Sequence, residues 1–170
     1  KLKRALNSLI PNDIYVKNAK IVQDDFHARF MVKRKEYVYI LNMGEYDPIK
    51  RNYEYQYCKK LDVDKMKEAI KYMEGTHDFQ NLSSNEIKEK STIKTIYNAK
   101  IKKEKDKLIF TFCGNGFLRY MVRVMVGVLI EVGKGKIDVD DIPLIIDGTY
   151  NKNYKKVANP EGLYLNNVEY

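Results

Sequence analysis

Apolar positions change their period several times along this chain, and each change predicts an element. Between Gly114 and Gly133, Phe117, Leu118, Met121, Met125, Val128, Leu129 and Val132 recur at helical spacing and share one face. The turn Gly114-Asn115-Gly116 opens this stretch and Gly133 closes it, which predicts one long helix. Its flanks are apolar as well: Val122, Val124, Val126 and Ile130. A helix apolar nearly all round is a buried helix. Arg123 sits in the middle of it, so its guanidinium is expected to look into a cleft and to need an anionic partner. The residues three and four positions away (Arg119, Tyr120, Val126, Gly127) supply none. The partner must come from another segment, another chain or a ligand.

The remaining patterns are shorter. Leu2, Leu6 and Leu9 predict a helix ended by Pro11-Asn12-Asp13. Ile14 to Val22 reads as a strand, and Phe26, Ala28 and Phe30 alternate against His27 and Arg29. Val32 to Leu41 is the clearest strand. Val32, Arg34, Glu36, Val38 and Ile40 lie on one face, and Lys33, Lys35, Tyr37 and Tyr39 on the other. A loop over Tyr46 to Asn52 precedes a short strand with Tyr53, Tyr55 and Tyr57. Asp62 caps a helix running to about Glu74, with Met66, Ala69, Ile70 and Met73 inward and Gly75 as its stop. A loop from Thr76-His77-Asp78-Phe79 through Ser83-Ser84-Asn85 follows. Lys94 to Lys103 and Leu108 to Cys113 form a hairpin across Glu104-Lys105-Asp106. Val139 to Ile146 is a short helix closed by Gly148, and Asn151 to Lys156 a basic loop. Ala158 to Gly162 turns into a last strand, Leu163 to Tyr170. Without a regular βαβ repeat, the order predicts an α+β fold with a mostly antiparallel mixed sheet flanked by helices.

Charge narrows the partner. Among 170 residues the net charge is +8, with a pI of about 9.2. That balance suits a polyanion, nucleic acid first, although a lysine-rich surface also serves solubility alone. The 14 tyrosines and 6 phenylalanines supply rings on which bases can stack. Cys58 and Cys113 make no metal or redox motif and are expected to be reduced in a cytoplasmic protein. The apolar run from Val122 to Val132 is too short to span a bilayer and contains Glu131.

Three groups carry candidate chemistry. Arg123 is either half of a structural ion pair to a distant Asp or Glu, or a cleft arginine that orients a catalytic carboxylate or binds phosphate. Tyr37 and Tyr39 are packing residues or, sharing a face with Lys33 and Lys35, a stacking surface with cationic tips. Tyr37 is the better candidate because it is mid-strand. His27 and His77 are isolated, and nothing is spaced to complete a metal site with them. Gly114-Asn115-Gly116 lacks the spacing of a nucleotide-binding loop.

Five blocks in order carry a resemblance. They are Asp25-Phe26-His27-Ala28-Arg29-Phe30; Tyr37-Val38-Tyr39; Gly75-Thr76-His77-Asp78-Phe79; Gly116 to Arg123 with Val126-Gly127; and Glu161-Gly162-Leu163-Tyr164-Leu165. Together they cover most of the chain and resemble the TruA family of tRNA pseudouridine synthases. The resemblance implies isomerisation of uridines in the anticodon arm of tRNA, with no cofactor and no metal, by a cytoplasmic homodimer with a basic cleft. It implies that Tyr37, first of the Tyr-x-Tyr pair, packs against the target base and takes part in proton transfer. It implies that Arg123 pairs with the catalytic aspartate. Arg29, Lys33, Lys35 and Arg119 become candidates for phosphate contacts, and the Phe-His-Ala-Arg and His-Asp-Phe blocks cleft-building elements.

The family's catalytic aspartate belongs to an Arg-Thr-Asp-x-Gly motif, and no Arg-Thr-Asp occurs in this sequence. Asp78 is not its substitute, because the family carries both motifs. Residues 1–170 therefore read as the C-terminal domain of such an enzyme, expected to be inactive alone. In the family mechanism the aspartate attacks the uridine ring or the sugar C1′, and the base detaches, turns and rejoins through carbon. The alternative is a non-catalytic RNA-binding module. A third reading is an interaction domain whose basic surface only solubilises it. Salt-sensitive tRNA binding separates that reading from the other two.

Overall fold

A computed structural model describes residues 1–84, 91–152 and 154–170. Asn85, at the end of the expected loop after Phe79, and Asn153, inside the expected basic loop, lie outside them. The chain divides into two compact units, Lys1–Met31 and Val32–Tyr170.

In the first unit, helix α1 spans Leu2–Asn7 and has no side-chain N-cap. Asn7 ends it by a two-way bond to Val16: its Nδ2 donates to the Val16 carbonyl at 3.0 Å, and its Oδ1 accepts from the Val16 amide at 2.7 Å. The strand expected over Ile14 to Val22 is absent. These residues have the apolar content of a strand but no ladder partner among the described residues, and Ile14, Tyr15 and Ile21 stay exposed. The alternation from Asp24 to Phe30 also fails to give a strand. Its amides close local turns instead, Phe26 to the Gln23 carbonyl at 3.0 Å and Phe30 to that of His27 at 3.1 Å.

The second unit is built on β1, Arg34–Asn42. It is followed by β2 (Tyr55–Gln56) and by helix α2 (Val63–Ala69), which tightens into a 3₁₀ turn over Ile70–Met73. Then come β3 (Gly75–Asp78), the hairpin β4 (Ile93–Glu104) and β5 (Lys107–Gly114), α3 (Met121–Gly133), α4 (Ile142–Asp147) and β6 (Leu163–Glu169). The sheet order is β2-β1-β5-β4-β3, and β6 pairs with β1. Among the described residues only β1–β2 is parallel. This is the expected α+β architecture.

Local chemistry explains most elements. Asp62 caps α2 by accepting from the Lys65 amide at 3.1 Å, and Met66, Ala69, Ile70 and Met73 are all buried. Lys105, at φ 54°, makes the β4–β5 turn with Asp106. Two further expectations need correction. Thr76 to Asp78 is not loop but part of β3, an edge strand on β4 whose short polar sequence carries no period-two signal. Helix α3 opens at Met121 rather than after Gly116, because Tyr120 takes a left-handed conformation at φ 63° and ψ −2°. Phe117 and Leu118 belong to the approach loop, where Leu118 is still buried.

Helix α3 is held to the fold at contact distance. A Cβ on Gly127 would lie 2.0 Å from the Lys156 carbonyl oxygen, and one on Gly133 2.6 Å from the Met66 sulfur. The first clash is with backbone, which cannot rotate away. Gly127→Ala should cost about 2–3 kcal/mol of unfolding free energy, read by denaturant melts. A change under about 0.5 kcal/mol would mean that the 156–158 segment is not fixed against α3.

Candidate active site

Arg123 is the only one of the thirteen residues of α3 that is not buried. Three contacts define its side chain and backbone. Its Nε donates to the Ala158 carbonyl at 2.7 Å. The Ala158 amide donates to the Arg123 carbonyl at 3.0 Å. Its guanidinium carbon lies 5.0 Å from the centre of the Tyr120 ring. Among the described residues no carboxylate lies within ion-pair distance of it. The half-buried guanidinium is thus fixed through Nε, with no ion pair among the described residues at its two terminal nitrogens. A hydrogen bond from a charged donor contributes about 1.5–3 kcal/mol and a cation–π contact about 0.5–2 kcal/mol, enough to offset partial desolvation.

Tyr120 is a functional candidate that sequence reasoning passed over. Its ring lies under two cations, with the Arg119 guanidinium carbon at 5.2 Å and that of Arg123 at 5.0 Å. A left-handed backbone in a bulky residue costs about 1–2 kcal/mol, and this conformation places the ring at the mouth of α3. The available signal is the spacing Arg119-Tyr120-x-x-Arg123, which fits an unbroken helix equally well.

On β1 the face carrying Lys35, Tyr37, Tyr39 and Leu41 runs from partly exposed to fully buried. Tyr37 is half-buried and meets Phe117 of the approach loop edge to face, with ring centres 5.1 Å apart. Burial pushes its phenol above the ordinary value, so at neutral pH it is a protonated hydroxyl. Tyr39 is inside the core against Phe110 and donates to the Asn159 carbonyl at 2.7 Å. A continuous stacking surface over both tyrosines is therefore excluded. Only Tyr37 has a ring partly open, and it stands at the rim of the core.

The segment from Ala158 to Gly162 backs this region. Its carbonyls at 158 and 159 accept from Arg123 and Tyr39, and Glu161 Oε2 is buried with no hydrogen-bond partner among the described residues. A Cβ on Gly162 would come within 2.9 Å of the Tyr39 ring and 2.5 Å of the Ile40 carbonyl oxygen. Burial pushes the Tyr39 phenol far above its ordinary value. Tyr55 and Glu161 add to that effect and Arg123 opposes it.

The basic candidates belong to different elements. Lys33 is exposed just before β1, its amide donating to the Glu169 carbonyl at 2.9 Å, and Lys35 is half-buried on the Tyr37 face. Arg119 is exposed beside Tyr120. Arg29 belongs to the first unit, where its guanidinium carbon lies 5.7 Å from the Phe30 ring. His77 is a structural residue, its Nε2 bonded to the Glu74 carbonyl at 2.7 Å. With Asp78 it lines a polar cavity of about 380 Å³ against α4. Among the described residues no three His, Cys, Asp or Glu side chains are grouped to hold a metal ion.

The sequence profile described as tRNA pseudouridine synthase matches residues 69–170, the span from the end of α2 through β6. The chain belongs to this family. It is 42% identical over 167 residues to tRNA pseudouridine synthase A 1 of Bacillus cereus (strain ATCC 10987 / NRS 248), covering 98% of this chain and 68% of that protein. It is 42% identical over 171 residues to tRNA pseudouridine synthase A 2 of the same strain, covering 100% of this chain and 70% of that protein. The tRNA pseudouridine synthase A of Exiguobacterium sp. (strain ATCC BAA-1283 / AT1b) is 41% identical over 167 residues, with 98% and 68% covered. The family profile spans α3 and the 158–162 segment but begins after Tyr37, which the longer pairwise matches include.

Burial also raises the phenols of Tyr55, Tyr154 and Tyr164 above the ordinary 10.0. With Tyr37 and Tyr39, these give the folded state a pH limit. As pH rises past about 10 the unfolded chain loses these protons first, so stability is full below that pH and falls above it. Denaturant midpoints stepped from about pH 9 to about pH 11 should decline, less steeply in Tyr39→Phe. An equal decline in Tyr39→Phe would contradict the burial account of that phenol.

Proposed function

We propose that this chain forms the base-handling side of an enzyme that isomerises uridine in tRNA to pseudouridine. The observation that carries the reading is Arg123, held at Nε by the Ala158 carbonyl and without a carboxylate partner among the described residues. Family membership supports the activity. The nucleophilic aspartate is assigned to an Arg-Thr-Asp-x-Gly motif, which residues 1–170 do not contain.

In this reading the terminal nitrogens of Arg123 receive that carboxylate. The cation keeps it ionised, since an adjacent positive charge lowers a carboxyl pKa. The target uridine leaves its stack, an energetic cost met by contacts in the cleft. Tyr37 presents a ring edge-packed on Phe117 to the flipped base, and its raised pKa makes it a hydroxyl donor before reaction rather than a phenolate base. The N1–C1′ bond breaks, the base turns, the C5–C1′ bond forms, the C5 proton leaves and N1 gains one; the net change is an isomerisation. Lys33, Lys35, Arg29 and Arg119 contribute to phosphate binding. The proposal extends to anticodon-arm uridines, a homodimeric assembly and a cytoplasmic setting. No helix among the described residues is long and apolar enough to cross a membrane.

The test uses this chain joined to an upstream segment bearing the Arg-Thr-Asp-x-Gly motif, assayed on tRNA. Arg123→Ala should lower kcat about 10²- to 10³-fold and move the acidic limb of the rate profile to higher pH, because the carboxylate loses its cation. Full activity of a Tyr37→Ala, Arg123→Ala double variant would remove the site assignment. Binding should weaken with salt, and Lys33→Ala and Lys35→Ala should each reduce the slope of log K against log salt by about one. Slopes unchanged in both variants would exclude these two lysines from phosphate contact.

A further inference from the structure

Tyr39, second of the tyrosine pair, has a hydroxyl that packing does not explain. It is fully buried in an apolar core, where a phenylalanine would supply the same ring without a polar atom to satisfy. Its hydroxyl donates to one acceptor, the Asn159 carbonyl, at 2.7 Å. The neighbouring carbonyl, that of Ala158, accepts from Arg123 Nε at the same distance. Adjacent carbonyls of one short segment therefore hold a buried phenol from the sheet and the half-buried guanidinium from α3.

We propose that Tyr39 is a positioning residue for Arg123, acting through the Ala158–Asn159 backbone. The proposal rests on the reading of Arg123 given above. The Ala158 carbonyl can aim Arg123 only if the segment carrying it is fixed. On the α3 side the segment is held at Ala158, whose amide donates to the Arg123 carbonyl, and it passes Gly127 at Lys156. On the sheet side the backbone ladder to β1 begins at Leu163. The Tyr39 bond holds the Asn159 carbonyl between these two ties, next to the one that accepts from Arg123. Gly162 lets the segment lie against the Tyr39 ring, where any Cβ would collide. Burial holds the Tyr39 phenol well above the ordinary value, so the donor is protonated at neutral pH. The bond is thus a fixed strut and not a switch.

Tyr39→Phe removes one oxygen and keeps the ring. In the joined, motif-bearing protein it should lower kcat roughly 10- to 100-fold, the scale of a misplacement near 1 Å, with KM for tRNA changed less than about twofold. In an Arg123→Ala background the same substitution should have no further effect on kcat, because there is no guanidinium left to aim. A second readout is independent of activity. In the 170-residue chain, hydrogen exchange at Arg123 Nε–H, followed by NMR, should be faster in Tyr39→Phe than in the parent.

The assay temperature is set below the unfolding transition of the variant. If the variant does not fold, Arg123→Lys takes its place. It keeps the charge but removes the Nε donor to Ala158, and it should show the same loss of kcat at constant KM. A folded Tyr39→Phe with parental kcat and parental Nε–H exchange overturns the proposal. So does a loss that multiplies fully with Arg123→Ala, or parental kcat in Arg123→Lys. If Arg123→Ala alone leaves kcat unchanged, the catalytic reading of Arg123 has failed, and the exchange measurement still decides whether Tyr39 fixes its side chain.

Discussion

The site depends on one reciprocal backbone contact, in which Ala158 accepts from the Arg123 side chain and donates to the Arg123 carbonyl. A helix carbonyl normally accepts from the amide four residues on. Here the Arg123 carbonyl also takes a donor from outside the helix, and the segment supplying it can approach because residue 127, one turn later, is glycine. The close approach of 156–158 to α3 and the aim of Arg123 are one structural fact. Filling the glycine would push against the Lys156 carbonyl, two residues before the one that holds the guanidinium.

This contact resolves a conflict in the energetics of α3. Every other residue of the helix is buried, including Glu131, whose carboxylate is neutralised by Lys134 at 2.7 Å and approached by Lys136 at 3.8 Å. That pair shows how the fold treats a buried charge that is only structural: it supplies a counter-ion locally. Arg123 is treated differently. Among the described residues it receives a carbonyl and an aromatic face, which stabilise the cation without neutralising it. A cation so held keeps its full attraction for an incoming carboxylate or phosphate. The difference between Glu131 and Arg123 on one helix is the strongest physical argument for a functional arginine.

Much of this was legible in the sequence, for reasons that differ by element. The α2 core positions, the β4–β5 hairpin and the closure of α4 at Gly148 follow from periodicity and turn chemistry, which act locally. The buried character of α3 and the isolation of Arg123 follow from counting its helical neighbours. What could not be read depends on partners distant in sequence. The β3 edge strand exists because β4 is beside it, and the expected strand over Ile14 to Val22 is absent for want of such a neighbour among the described residues. Alternation alone did not distinguish Tyr37 at the rim from Tyr39 in the core. The burial gradient along β1 decides that, and it is set by the packing of the segments around the strand. The break at Tyr120 was hidden because its neighbours fit a helix, and the Ala158–Asn159 carbonyls were invisible because backbone acceptors carry no residue signature.

The most direct measurement is a crystal structure of this chain joined to a segment bearing the Arg-Thr-Asp-x-Gly motif. The account predicts the motif's aspartate within about 4 Å of the terminal nitrogens of Arg123, with the Nε bond to Ala158 retained. An aspartate paired elsewhere, or an Arg123 that leaves Ala158 to reach it, would contradict the claim that this chain holds its arginine ready for a carboxylate it does not itself contain.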